Sequence, residues 1–277
     1  MFKRIGIIGV GLIGGSIALD TRRFGLALKI IGYDANRDNL NKAYSIGIID
    51  KVANSIDELL DCDLVVIAVP VSYVCDILEK LYFAGYDGLI SDVGSIKGKI
   101  VKKALKLKLY NFIPAHPIAG TENFGPEAAK TGLFENAFCI ITPFDGVDSE
   151  TLSMVEKFYK SIGMRIVKLS ADEHDRIFAF ISHMPHAVAY ELVELAASKG
   201  ENFKFIGGGF RDFTRIAASS EEMWSDIFVM NKDNVVSAID EFIKYMRSLR
   251  DLIEKGDKNT LKEKLGNIRR MKRELYG

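Results

Sequence analysis

Lys3–Ser16 reads KRIGIIGVGLIGGS, and this stretch decides the fold. A charged start gives way to the apolar run Ile5–Ile8, sized for a buried strand. Gly9, Gly11 and Gly14 follow at G-x-G-x-x-G spacing, and the residues after them are apolar at helical spacing. Each glycine has a physical task. The first makes the tight turn, the second lets backbone approach a pyrophosphate, and the third lets the helix sit close on the sheet. The helix N-terminal N–H groups and dipole then face the phosphates. Leu12 and Ile13, which fill the turn, join the candidate cofactor contacts. The spacing alone is weak evidence, because glycine-rich turns are common. The confirming context is a second strand ending in an acid about 20 residues on. Leu28–Tyr33 supplies that strand and Asp34 the acid. A carboxylate there accepts hydrogen bonds from both ribose hydroxyls and repels a 2′-phosphate, so NAD is favoured over NADP. Arg37 is near enough to hold a phosphate, which keeps NADP open.

The remaining composition narrows the class. At 277 residues the chain has room for one large or two medium domains. Lys+Arg and Asp+Glu both total 37, so no net charge points to nucleic acid or to an acidic membrane surface. Cys62, Cys75 and Cys139 are scattered and odd in number, which reads as free thiols in a reducing cytoplasm rather than a disulfide framework. The sequence enters a strand at once, so no signal peptide is expected. No apolar run is long enough to span a bilayer; Leu64–Val71 is strand-sized.

Beyond Asp34, Asn39–Tyr44 reads as a short helix and Ile48–Val52 as a connection. Ser55 and Glu58 have capping-box spacing, which starts a helix through Leu60. Asp63–Pro70 (DLVVIAVP) is a continuous apolar run, as in a strand buried on both faces of a parallel sheet. Further strands are expected at Leu89–Val93, Phe112–Ala115, Ala137–Thr142 and Arg165–Leu169, with helices at Val74–Leu81, Ile96–Leu107 and Glu150–Ile162. Strands alternating with helices predict a doubly wound parallel sheet of the Rossmann type over residues 1–169. Ligands bind such sheets at the carboxyl ends of the strands, which makes Val69-Pro70, Asp92–Lys97 and His116–Gly125 site material. From Ser170 the pattern turns helical, giving a second domain over 170–277. Ser170 and Glu173 again have capping-box spacing, Pro185 should kink the helix Ile177–Ala197, and Gly207-Gly208-Gly209 reads as a loop. Val235, Ile239, Phe242, Met246, Leu249 and Ile253 mark one face of a long helix, and Leu261–Leu275 a final basic one. This half either covers its own core as a bundle or shares helices in an interlocked dimer; its wide apolar faces favour the dimer.

The four histidines are considered singly. His116 follows a strand end in AHPIAGTE, placed either to take a proton from a substrate hydroxyl or to tie down its own loop. His183 and His186 form an H-x-x-H pair around Pro185. A metal needs a third ligand, and none stands at a diagnostic offset. One histidine facing the cleft as an anion ligand and the other packed structurally is favoured. His174, in the acidic run ADEHD, reads as a surface or helix-start residue. Arg211 and Arg215 lie four apart on a helix expected to start near Phe210. They offer either a bidentate carboxylate clamp beside the glycine loop or a surface ion pair with Asp212. Trp224 reads as core. Ser95 could hydrogen-bond the cofactor or a substrate hydroxyl, and Glu122 a polar group or its own loop.

GVGLIGGS (Gly9–Ser16), AVP (Ala68–Pro70), DVGSIKG (Asp92–Gly98), HPIAGTENFG (His116–Gly125), SHMPH (Ser182–His186) and GGGFRDFTRIA (Gly207–Ala217), with MWSDIF (Met223–Phe228), together resemble the prephenate/arogenate dehydrogenase family. The resemblance implies NAD-dependent oxidative decarboxylation of prephenate to 4-hydroxyphenylpyruvate in tyrosine biosynthesis, by a cytoplasmic homodimer joined through the helical domain. It implies His116 as the catalytic histidine, with Ser95 sharing the substrate hydroxyl beside the nicotinamide. His186, Arg215 and Trp224 would line the substrate pocket, Arg215 holding a carboxylate and Glu122 gating or tuning the site. Gly9, Gly11, Leu12, Ile13, Gly14, Asp34, Val69, Pro70 and Ser95 would hold the cofactor. Family members can carry a chorismate mutase segment or a regulatory domain. Neither is visible here, so a monofunctional chain is expected. Arogenate dehydrogenase and dual-specificity cyclohexadienyl dehydrogenase are the nearest rivals; an NAD-sensing protein without turnover is a distant one.

Overall fold

The computed structural model describes residues 1–121, 123–200 and 203–276. Strands β1 (Phe2–Ile8), β2 (Ala27–Tyr33), β3 (Lys51–Val52), β4 (Leu64–Ile67), β5 (Leu89–Asp92) and β6 (Phe112–Ile113) pair in parallel in the order β3-β2-β1-β4-β5-β6. Helices α1 (Leu12–Arg23), α2 (Arg37–Ser45), α3 (Val74–Phe83) and α4 (Gly98–Leu107) make the connections. The expected doubly wound sheet is present. Alternate strand residues feed two cores: Ile5, Ile7, Leu64 and Val66 pack on one face, and Ile8, Val65 and Ile67 on the other. That two-sided burial is why these runs are apolar without alternation.

The sheet differs from expectation at its margins. Ile48–Val52, read as a connection, contains the edge strand β3. Ser55 makes no side-chain cap, and Ile56–Leu59 forms only one 3-10 turn. The Glu58 carboxylate instead accepts from the Asn54 N–H at 3.0 Å and from Lys51 at 2.8 Å. Phe112–Ala115 is not one strand either. Pro114 has no N–H to donate to a parallel ladder, and β6 stops before it. The chain then enters a second, three-stranded sheet: β7 (Ala115–Pro117) runs antiparallel to β8 (Phe138–Ile141), which is parallel to β9 (Arg165–Lys168). Helix α5 (Ser149–Ser161) joins β8 to β9, its N-terminus capped by Asp148.

From Ser170 the chain is helical. Ser170 caps α6 (Ala171–Phe178) by accepting from the Glu173 N–H, as its spacing predicts. A wide π-type turn, Ala179–His183, precedes α7 (Met184–Ser198). Pro185 lacks the N–H of a regular helical ladder, and the loosened turn lies directly upstream of it. Gly207 caps α8 (Gly208–Thr214), so two of the three glycines expected in a loop are helical. A 3-10 turn, Arg215–Ala218, leads to α9 (Glu221–Met230). Met1–Lys232 forms one compact unit. Asp233–Gly277 forms another, built from α10 (Lys232–Glu254) and α11 (Lys258–Tyr276), and Gly256 turns at φ +65° between them.

Candidate active site

The glycine turn lies at the carboxyl end of β1, where the chain winds to β2 on one side and β4 on the other. This is the switch point at which open α/β sheets bind ligands. Gly9 has φ +93°, a conformation side chains resist, and a Cβ there would lie 2.5 Å from the Ala68 carbonyl oxygen. At Gly14 a Cβ would lie 1.9 Å from the Gly9 oxygen, so helix and turn touch through bare backbone. At Gly11 a Cβ would meet nothing within 4 Å. That open space lies before the N-terminus of α1, which has no side-chain cap. A phosphate group fits there, facing the N–H groups of the first turn of α1.

Asp34, just past β2, accepts from the Val10 N–H at 2.9 Å and from the Asn36 N–H at 2.8 Å, which fixes its carboxylate beside the turn. The Arg37 guanidinium donates to Asn54 at 2.8 Å. Leu12, Ile13 and Val69 are half-buried and Pro70 is exposed, at the ends of β1 and β4. Ser95 is half-buried in the segment between β5 and α4.

His116 is half-buried on β7, and its Nδ1 lies 2.8 Å from Nε2 of His174 on α6. His174 Nδ1 in turn lies 2.8 Å from Oδ1 of Asp175. Phe178, one helical turn on, stacks on the His174 ring at 4.5 Å and packs on His116 at 4.9 Å. Burial pushes the His116 imidazole well below its usual range, and neighbouring His174, Lys97 and His183 push the same way. A neutral imidazole is a base rather than an acid.

Of the two readings of His174, the helix-start one holds, since it lies near the start of α6, and the surface one is overturned: it is fully buried. Ala171, His174, Asp175 and Phe178 stand at i, i+3, i+4 and i+7, and all four face inward while Asp172, Glu173 and Arg176 are exposed. The acidic run masked this face, and the helical spacing was the signal that reveals it. Asp92 and Lys97 also belong to this neighbourhood. Both are wholly buried, with Lys97 Nζ 2.6 Å from Asp92 Oδ2. Burial pulls the carboxyl up and the amine down.

His183 and His186 part company: one is buried and the other half-buried. His183 is buried with Nδ1 3.2 Å from Nδ2 of Asn231, and burial pushes its pKa down to about 4. His186 is half-buried, donates from Nδ1 to the Ser182 carbonyl at 2.9 Å, and stacks on Trp224 at 3.6 Å between centroids. Burial lowers its pKa, the Ser182 carbonyl raises it, and the charge of Arg215 lowers it. Arg215 is exposed and opens the 3-10 turn after α8, so it does not share the α8 helix with Arg211. Among the described residues Arg215, Arg211 and Asp212 make no ion pair with one another, so the surface-pair reading falls. Trp224, read as core, is buried and also touches His183 edge-on at 6.0 Å. Trp224 therefore contacts both His183 and His186. Glu122 lies outside the described residues.

A glycine-rich turn at the switch point, with an acid after the second strand, defines an α/β protein of the dinucleotide-binding class. The comparisons with known proteins go further. Residues 17–168 match the prephenate dehydrogenase nucleotide-binding domain, and residues 170–267 match the prephenate dehydrogenase dimerization domain. A prephenate dehydrogenase of Bacillus subtilis is 39% identical over 92% of this chain and 71% of its own length. A cyclohexadienyl dehydrogenase of Zymomonas mobilis is 34% identical over 95% and 92%. The crystal structure of a prephenate dehydrogenase from A. aeolicus, in complex with hydroxyphenyl propionate and NAD+, superposes with a TM-score of 0.95 at 38% identity, covering 99% of both chains. The chain belongs to the prephenate dehydrogenase family.

Proposed function

We propose that this chain catalyses the NAD-dependent oxidative decarboxylation of prephenate to 4-hydroxyphenylpyruvate, a step of tyrosine biosynthesis. Membership of the family supports the reaction, and the Gly9–Gly14 turn with Asp34 fits the cofactor. When bound, NAD accepts the hydride that leaves the carbinol carbon. The protein's own share is to hold the substrate, take a proton and exclude wrong geometries. His116 Nε2 takes the ring-hydroxyl proton as the ketone forms. The carbon–carboxylate bond then breaks, carbon dioxide leaves, and its electron pair aromatises the ring. His116 returns the proton to the phenolate oxygen. Ser95 orients the hydroxyl, and Arg215 holds a carboxylate through a bidentate pair. His186 and Trp224 wall the ring.

The observation that carries this reading is His116: a half-buried, neutral imidazole on β7, in a chain 39% identical to a prephenate dehydrogenase. We further propose that the dinucleotide domain ends at Leu169 and that a homodimer forms through the helical part from Ser170. Its match to a dimerization domain supports that, as do the exposed Ile243, Met246 and Ile253 of α10 and Leu265 and Ile268 of α11. The free thiols Cys62, Cys75 and Cys139 support a reducing cytoplasm. The test is NADH formation from prephenate and from arogenate, each with NAD and NADP. Turnover of prephenate with NAD is expected. Turnover of arogenate alone would move the assignment to the reaction named for the Synechocystis arogenate dehydrogenase, which is 27% identical. No turnover of either would overturn it.

A further inference from the structure

We infer that His174 and Asp175 are positioning residues that lock His116 in one tautomer, with hydrogen on Nδ1 and a bare lone pair on Nε2. The arrangement is anchored at the N-terminus of α4. The backbone N–H groups of Lys97 and Gly98 donate to Asp175 Oδ1 and Oδ2, each at 2.8 Å. Backbone amides only donate, so both carboxylate oxygens act as acceptors. Burial raises the Asp175 pKa, but His174 and these two N–H groups outweigh it and hold the carboxyl below its usual range. Asp175 is ionised at neutral pH and has no proton to give. His174 Nδ1, 2.8 Å from Oδ1, must be the donor. A neutral imidazole carries a single N–H, so His174 Nε2 accepts, and the atom 2.8 Å away is His116 Nδ1. His116 therefore donates from Nδ1, and its one N–H is used there. Nε2 keeps its lone pair. The direction of the whole wire is set by two amides at a helix end.

Three features keep the wire from reversing. His174 is fully buried, and burial lowers its pKa against the opposing pull of Asp175. The charged and titratable groups facing the two rings are Lys97 and Asp92 from the β5–α4 segment, Cys139 on β8 and His183 from the wide turn. Lys97 disfavours a charged His174, while Asp92 pulls the other way. Phe178 packs on both rings and holds them at 5.1 Å and 67° to each other. Asn231 fixes the far end, donating to the Asp175 carbonyl at 2.7 Å.

The catalytic consequence rests on the proposed function, whereas the tautomer itself does not. The test is a 15N imidazole spectrum of the intact protein without substrate. Only four histidines occur in the chain, and His116→Asn identifies the relevant signals. Wild type should show a protonated Nδ1 and an unprotonated Nε2 at His116. His174→Gln can still accept from His116 and donate to Asp175, so it should keep that pattern and most of kcat. His174→Phe should release His116 into mixed tautomers, lower kcat on the order of 10²-fold with KM for prephenate little changed, and move the acid limb of the pH–rate profile. An Nε2-protonated His116 in wild type would overturn the proposal, as would an unchanged His116 pattern in folded His174→Phe. If the tautomer is as inferred but prephenate yields no NADH, the functional reading fails and the wiring stands.

Discussion

Lys97 Nζ lies 2.6 Å from Asp92 Oδ2, and between them the two side chains grip both backbone groups of Ala115. Lys97 donates to the Ala115 carbonyl at 2.6 Å, and Asp92 Oδ1 accepts from the Ala115 N–H at 3.2 Å. Ala115 is the residue before His116. It also stands where the chain leaves the parallel sheet, so the pair substitutes for the ladder bonds that Pro114 interrupts.

Removing one partner should therefore be costly. Lys97→Met would leave the Asp92 carboxyl buried without its cation and should lower unfolding stability by about 3–5 kcal/mol. Urea unfolding at pH 7 measures this; a loss below about 1 kcal/mol would show that the pair does not hold β7.

The glycine turn allows a paired experiment. Gly14→Ala places a methyl 1.9 Å from the Gly9 oxygen and should damage the fold, whereas Gly11→Ala meets no protein atom within 4 Å and should not. Gly11→Ala should instead raise the Kd for NAD, because its methyl fills the space before α1. Thermal unfolding and NAD titration together separate the two. Unchanged NAD affinity in Gly11→Ala would put the pyrophosphate elsewhere.

Stability should fall between pH 6.5 and pH 4. The His183 pKa is pushed from 6.5 down to about 4 by burial, so in that window the unfolded chain binds a proton that the folded chain refuses. Its contribution is fully present above pH 6.5 and is lost as pH falls toward 4, reaching about 2 kcal/mol of loss at pH 5. His116, His174 and His186 are also lowered and act in the same direction. Urea unfolding at pH 7 and pH 5 checks the sign, and His183→Asn should flatten the slope. A wild-type protein as stable at pH 5 as at pH 7 would contradict the burial of these rings in solution.

Much of this was legible from local pattern. The glycine spacing with Asp34, and the two-faced apolar runs of β1 and β4, depend only on residues close in sequence. The second sheet was not, because antiparallel pairing of His116 with Ile140 is a long-range choice that no period in Phe112–Pro117 announces. The acidic neighbours of His174 mark a helix start but hide its burial, which follows from the Ala171–His174–Asp175–Phe178 spacing. Its partner, 58 residues away in sequence, is set by how α6 lies on β7. Gly208 and Gly209 entered a helix because α8 starts from Gly207, and tertiary context overrides their weak helical preference.

Arg215→Ala should act on substrate binding rather than on the cofactor. Losing a charge-assisted pair worth about 1.5–3 kcal/mol raises KM for prephenate roughly 10- to 10²-fold, with the Kd for NAD unchanged. Steady-state kinetics with each ligand varied decides this; an unaltered KM would remove Arg215 from the pocket.

The central claim is that His116 is the base of the reaction. His116→Asn keeps a polar side chain at this position of β7 and removes the imidazole. Single-turnover NADH formation from prephenate should then fall roughly 10²–10⁴-fold, while NAD affinity stays as in wild type. A folded His116→Asn protein that turns prephenate over at a near-normal rate would contradict the account.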